Sequence, residues 1–90
     1  MKRMIVDVRE QAEYATGHIE GALNIPPATI MNGAPQLAEI EKDTEIILYC
    51  VSGSRSNVSS HILRQQGFAN LVNGINMQQV AAKYHLEITK

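Results

Sequence analysis

Apolar and polar positions in this chain fall into short blocks that switch between strand and helix periods. Met4-Ile5-Val6-Asp7-Val8 is an apolar, β-branched run that predicts a buried strand, with Asp7 a charge at or near its end. Glu10 to Ala15 is polar with helical propensity, and Gly17 is a stop signal. Ile19 to Ile25 predicts a turn and then a short strand, Ala22-Leu23-Asn24-Ile25, closed by Pro26-Pro27. Residues 28–35, with Asn32, Gly33 and Pro35, carry the weakest pattern and predict loop plus a helical turn. Gln36 to Glu41 predicts a short surface helix with Leu37 and Ile40 facing inward.

Lys42-Asp43-Thr44 is a polar turn into the strongest apolar block, Glu45 to Tyr49, whose Ile46-Ile47-Leu48-Tyr49 run suits a strand covered on both faces. After a small-residue loop, a helix is predicted from near Ser56, with Val58, Ile62 and Leu63 packed on that strand and Gly67 ending it. Phe68 to Val72 predicts another strand, Asn73-Gly74 a turn, and Ile75 to Tyr84 a last helix. His85 to Thr89 alternates, as an edge strand or a frayed tail would. Strands alternating with helices predict an α/β fold: a mainly parallel sheet with helices on both faces, in one domain spanning 1–90.

Composition narrows the function classes. Ninety residues with 44% hydrophobic and 19% charged side chains are those of one small soluble globular domain. A net charge of −1 offers no basic stripe for nucleic acid and no polybasic membrane patch. One cysteine excludes an internal disulfide, and the scattered His18, His61 and His85 make no zinc cluster, so no metal is expected. No apolar run approaches a membrane span of ~20 residues. Met1-Lys2-Arg3 opens like a signal peptide, but Asp7-Val8-Arg9-Glu10 cuts off any apolar core, so the expected compartment is the cytoplasm.

The candidate chemistry lies in Tyr49-Cys50-Val51-Ser52-Gly53-Ser54-Arg55-Ser56. The only cysteine sits where a buried strand ends and a helix is about to start. In parallel sheets, sites form at that end of the strands. A loop of small residues with a glycine can curl its backbone N–H groups inward, and the helix N-terminus adds partial positive charge. Both lower a thiol pKa, so Cys50 reads as a nucleophile in a cradle of amides. Gly53 supplies a backbone conformation or close approach closed to other residues. Ser52, Ser54 and Ser56 either cap the helix or hydrogen-bond the sulfur, with capping the expectation for Ser56. Arg55 either faces the substrate, the reading preferred here, or braces the loop from outside.

Three further stretches resemble the N-terminal signature of rhodanese domains: Asp7-Val8-Arg9 with Glu13-Tyr14, then Gly17-His18-Ile19-Glu20-Gly21-Ala22, then Asn24-Ile25-Pro26. The segment from Tyr49 to Ser56 resembles the active-site loop of that family, and Leu63 with Gly67-Phe68 fits the helix and turn after it. The match runs from about residue 4 to residue 75. The family often shows paired glycines and then a tryptophan near its C-terminal end, where this chain has Asn73-Gly74-Ile75-Asn76-Met77 and no tryptophan. The resemblance implies a three-layer rhodanese-like sandwich and a sulfurtransferase. Cys50 would take a sulfane sulfur from a donor such as thiosulfate, hold it as a persulfide, and pass it to cyanide, a thiol or a partner protein. No cofactor is implied.

Asp7 and Arg9 read as a structural ion pair or as hydrogen-bonding partners of nearby loops, with an indirect effect on Cys50, and Glu13 is expected in the same network. His18 reads as a structural residue fixing the loop before the second strand rather than as a base. Two rival functions stand beside the transferase. A cysteine phosphatase or arsenate reductase needs Cys-x5-Arg to grip a tetrahedral oxyanion, whereas here the sixth position after Cys50 is Ser56. A persulfide carrier, loaded by a partner and without small-molecule turnover of its own, would carry the same residues.

Overall fold

The computed structural model describes residues 2–90, so Met1, where the leader-like opening begins, lies outside it. Four strands form one parallel sheet in the order β3-β1-β4-β5, with β1 at Arg3–Asp7, β3 at Leu23–Asn24, β4 at Glu45–Cys50 and β5 at Leu71–Asn76. Side chains alternate across β4. Ile46, Leu48 and Cys50 enter a core with Ile30 of α2 (Pro27–Met31) and Leu63 of α3 (Ser54–Gln65). Ile47 and Tyr49 enter a second core with Val80 of α4 (Met77–Tyr84) and Tyr14 of α1 (Gln11–Thr16). The apolar run of β4 is therefore buried on both faces, and the three-layer α/β sandwich with a mainly parallel sheet is the observed fold. Among the described residues, no helix is long and apolar enough to cross a membrane.

Several elements differ from the sequence reading. The helix expected over Gln36 to Glu41 is a single 3₁₀ turn, Pro35–Leu37, entered through Ala34 in a left-handed conformation (φ 46°). Leu37 is nevertheless buried and Ile40 packs against the core. In the stretch read as loop plus a helical turn, α2 forms with Pro27 in its first turn, where a missing N–H costs nothing. The pair His18–Ile19 forms a strand, β2, not anticipated, which runs antiparallel to β6 (Ile88–Thr89). Of the two readings of the C-terminal stretch, the edge strand is the one formed.

Helix α3 starts at Ser54, with Gly53 at the N-cap, so Ser56 is not the cap. Val58 does not face the strand: it is 58% exposed. The inner face is Ser56, Ser59, Ser60 and Leu63, a stripe at helical spacing whose small side chains let the helix lie close to the sheet. The largest correction concerns residues 68–76. Asn73-Gly74 is not a turn, because β5 runs through it, pairing Leu48 with Asn73, Tyr49 with Ile75 and Cys50 with Asn76. The extra residue is Gly74, at a bulge. A Cβ there would strike Val80, Ile47 and the Leu48 carbonyl, so close packing, not a turn, calls for glycine. The last helix accordingly begins at Met77, and the Asn76 side chain caps it by accepting the Gln79 N–H at 2.8 Å.

Candidate active site

Strand β4 delivers Cys50 to the carboxyl end of the sheet, 2% exposed. The chain then turns back over the thiol, because Gly53 holds a left-handed conformation (φ 93°) that starts α3. In that turn the Gly53 N–H donates to Cys50 Sγ at 3.1 Å, and the Ser56 hydroxyl lies 3.5 Å from the sulfur. Burial pushes the thiol up. The Ser56 hydroxyl and the amides of Ser56, Gly53 and Ser52 outweigh it and bring Cys50 down from its ordinary 9.0 to about 7. Roughly half the molecules then carry the thiolate at neutral pH. We expect iodoacetamide alkylation of Cys50 to show its midpoint near pH 7. Ser56→Ala should move the midpoint upward, toward the ordinary thiol value, because a donor to the thiolate is lost while the burial remains. A Ser56→Ala midpoint equal to that of the wild type would contradict this account of the shift.

The remaining loop residues take separate roles. Val51, Ser52 and Ser54 are exposed on its outer side, and the Ser52 and Ser54 hydroxyls lie 3.3 Å apart. Arg55 braces the loop against α1 while also lining a groove beside it. Its guanidinium grips Glu13 of α1 with two bonds, Nη1 to Oε1 at 2.7 Å and Nη2 to Oε2 at 3.1 Å. This holds the Glu13 carboxyl down at about 2, chiefly through the Arg55 bond and then through the Glu10 backbone N–H. Arg55 also feels the Cys50 charge, so its cation stays near the nucleophile while it ties α3 to α1. Glu13 was expected with Asp7 and Arg9; its hydrogen bonds go to Arg55 and, within the capping box of α1, to the Glu10 N–H.

Asp7 and Arg9 form a buried ion pair, Nη2 to Oδ2 at 2.7 Å, and Arg9 also donates to the Gly17 carbonyl at 2.6 Å. The Asp7 hydrogen bond raises the Arg9 pKa further, outweighing the burial that opposes its charge. Asp7 lies opposite Tyr49 in the sheet, next to Cys50, and the Tyr49 hydroxyl accepts the Ile19 N–H at 3.0 Å. The pair ties the carboxyl end of β1 to Gly17 at the end of α1. His18 stacks on Tyr14 with ring centroids 3.7 Å apart, and its Nδ1 meets the Tyr14 carbonyl at 2.8 Å. Among the described residues, no group of three or more His, Cys, Asp or Glu is placed to hold a metal ion.

One participant escaped the sequence reading. Asn73 Oδ1 accepts the Ser56 hydroxyl at 2.6 Å, and Asn73 Nδ2 donates to the Gly53 carbonyl at 3.1 Å. The dipeptide Asn-Gly is so strong a turn signal that it hid this role. The available clue was the habit of asparagine to bond the backbone two residues on, here the Ile75 N–H at 3.0 Å.

Fold and loop together define an α/β domain with a cysteine cradled at the carboxyl end of its central strand. The family model of the Rhodanese-like domain matches residues 1–76, and the chain belongs to that family. A sulfurtransferase of Allochromatium vinosum is 39% identical over 71 residues, covering 78% of this chain and 63% of that protein. A tRNA uridine(34) hydroxylase of Sodalis glossinidius is 35% identical over 71 residues, and the chain spans only 20% of its length. Among solved structures, a rhodanese from E. coli with anions superposes with a TM-score of 0.83 at 25% identity, over 98% of both chains.

Proposed function

We propose that this chain is a sulfurtransferase working through a persulfide on Cys50. The observation that carries the reading is the Gly53 N–H at 3.1 Å from a buried Sγ whose pKa lies near 7. Such a sulfur is a nucleophile at neutral pH with a donor already aimed at its charge. The thiolate attacks the outer sulfur of thiosulfate, the S–S bond of the donor breaks, and sulfite leaves with the electron pair. The charge passes to the terminal sulfur of Cys50–S–S⁻. An acceptor thiolate or cyanide then attacks that terminal sulfur, and the Cys50 thiolate returns as leaving group. Membership of the rhodanese-like family and the Allochromatium relative support the transferase class.

A persulfide carrier loaded by a protein partner is the second reading, and the rim of the loop favours it. Met31 and Val58 are 70% and 58% exposed beside a groove of about 240 Å³ that Ser54 and Arg55 also line. The phosphatase reading is weaker, because the arginine that would grip an oxyanion is engaged by both oxygens of Glu13.

Intact mass after incubation with thiosulfate, in the absence of reductant, tests the proposal. A transferase gains about 32 Da on Cys50, and cyanide removes it. Cys50→Ser gains nothing. Uptake from a polysulfide or a protein persulfide but not from thiosulfate would favour the carrier. Uptake from none of these would sink both sulfur readings.

A further inference from the structure

The carboxamide of Asn73 joins three pieces of chain that meet around Cys50. It accepts from the Ile75 N–H on its own strand at 3.0 Å and from the Ser56 hydroxyl on α3 at 2.6 Å, and donates to the Gly53 carbonyl in the loop at 3.1 Å. Gly53 and Ser56 are the residues that reach Cys50 Sγ from the other side, at 3.1 and 3.5 Å. The backbone around Asn73 is itself held in an unusual state. Ile75 has φ 75°, a left-handed conformation costly for a β-branched residue, and its Cγ2 packs against Gly53. Conformations of this kind persist where their surroundings over-determine them, and they concentrate at functional sites.

We propose that Asn73 is a positioning residue for the Cys50 nucleophile, its carboxamide fixing the Gly53 N–H and the Ser56 hydroxyl against Sγ. The inference rests on the reading of Cys50 as a nucleophile. Ser56 has one hydroxyl proton and three acceptors within reach: Asn73 Oδ1 at 2.6 Å, the Gly53 carbonyl at 3.2 Å and Cys50 Sγ at 3.5 Å. The short bond to Asn73 fixes where the hydroxyl oxygen stands. When Cys50 ionises, that proton can turn from Asn73 to the sulfur; without Asn73 the Ser56 oxygen is no longer held in place, and the Gly53 carbonyl, nearer than Sγ, competes for the proton. At the same time Gly53 loses its tie to β5, and its N–H is no longer aimed. The charged groups beside the loop are Arg55 on α3 and its partner Glu13 on α1; neither bonds Asn73.

The test is the pH profile of Cys50 alkylation in Asn73→Ala and Asn73→Asp, measured without any sulfur donor and paired with thermal melts. Asn73→Ala should raise the midpoint by about one pH unit, which cuts the thiolate fraction at neutral pH about fivefold. Asn73→Asp should raise it further, since a carboxylate there repels both the thiolate and the Gly53 carbonyl. Midpoints within about 0.3 unit of wild type in both variants overturn the proposal, even if melting temperatures fall, because a purely structural asparagine moves stability and not the titration. Should the alanine variant fail to fold, Asn73→Ser, uncharged and too short to bridge Ser56 and the Gly53 carbonyl, decides in its place. A shifted midpoint in a protein that accepts sulfur from no donor would uphold the positioning role and sink the transfer reading.

Discussion

Asp7→Asn is expected to lower the melting temperature by about 15 °C or more, the largest stability loss of any single polar substitution considered. Asp7 is fully buried and accepts four bonds from Arg9, three through the guanidinium and one from the backbone N–H. Removing its charge leaves the Arg9 guanidinium buried with uncharged acceptors only, one amide oxygen and the Gly17 carbonyl, and sets an NH2 donor where Oδ1 or Oδ2 accepted. Breaking one side of such a pair costs about 3–5 kcal/mol, against a total of about 5–15 kcal/mol for a domain. Each kcal/mol is worth about 4–8 °C at this size. The pair need not itself be a net source of stability. Replacing both partners together, as in Asp7→Leu with Arg9→Met, should recover much of the loss, because no charge is then stranded. Calorimetric melts of the three proteins decide it. An Asp7→Asn variant melting within a few degrees of wild type would show that water reaches Arg9.

Gly53→Val is expected to slow alkylation of Cys50 at neutral pH tenfold or more, with a smaller loss of stability. At φ 93° any L side chain is strained, by about 1–2 kcal/mol, and a β-branched one by more. A bare Cβ there would already touch Ile75 Cγ2 at 3.4 Å, and the two methyl groups of valine add bulk beside a residue that is strained already. The cheapest relief is for the loop to change conformation, which takes the Gly53 N–H off the sulfur and leaves the thiol buried with fewer donors. A rise of one unit in the Cys50 pKa corresponds to about 1.4 kcal/mol. Gly53→Ala should fall between valine and wild type. Alkylation of the valine variant at the wild-type rate would mean that the Gly53 amide is dispensable for the thiolate.

These expectations divide according to how far apart in the chain the partners lie. The strand ending at Cys50, the need for glycine at position 53 and the Asp7–Arg9 pair were legible in the sequence, because each is encoded within a few residues. An unbroken apolar run demands cover on both faces, a left-handed turn demands glycine, and a buried acid two residues from an arginine demands that arginine. The order of motifs added the fold family by resemblance. The rest needed the folded chain. Arg55 meets Glu13 across 42 residues, Asn73 meets Ser56 across 17, and β2 meets β6 through the C-terminal stretch. Local pattern misread the Asn73-Gly74 pair because its meaning depends on what lies beside it. Alone it turns the chain; against β4 and Val80 it makes a bulge. The sequence by itself determined which strand carries the cysteine and how the backbone must bend after it. Only the tertiary structure decided which side chains hold that bend, because those contacts are made between segments that neighbour one another once the sheet has formed.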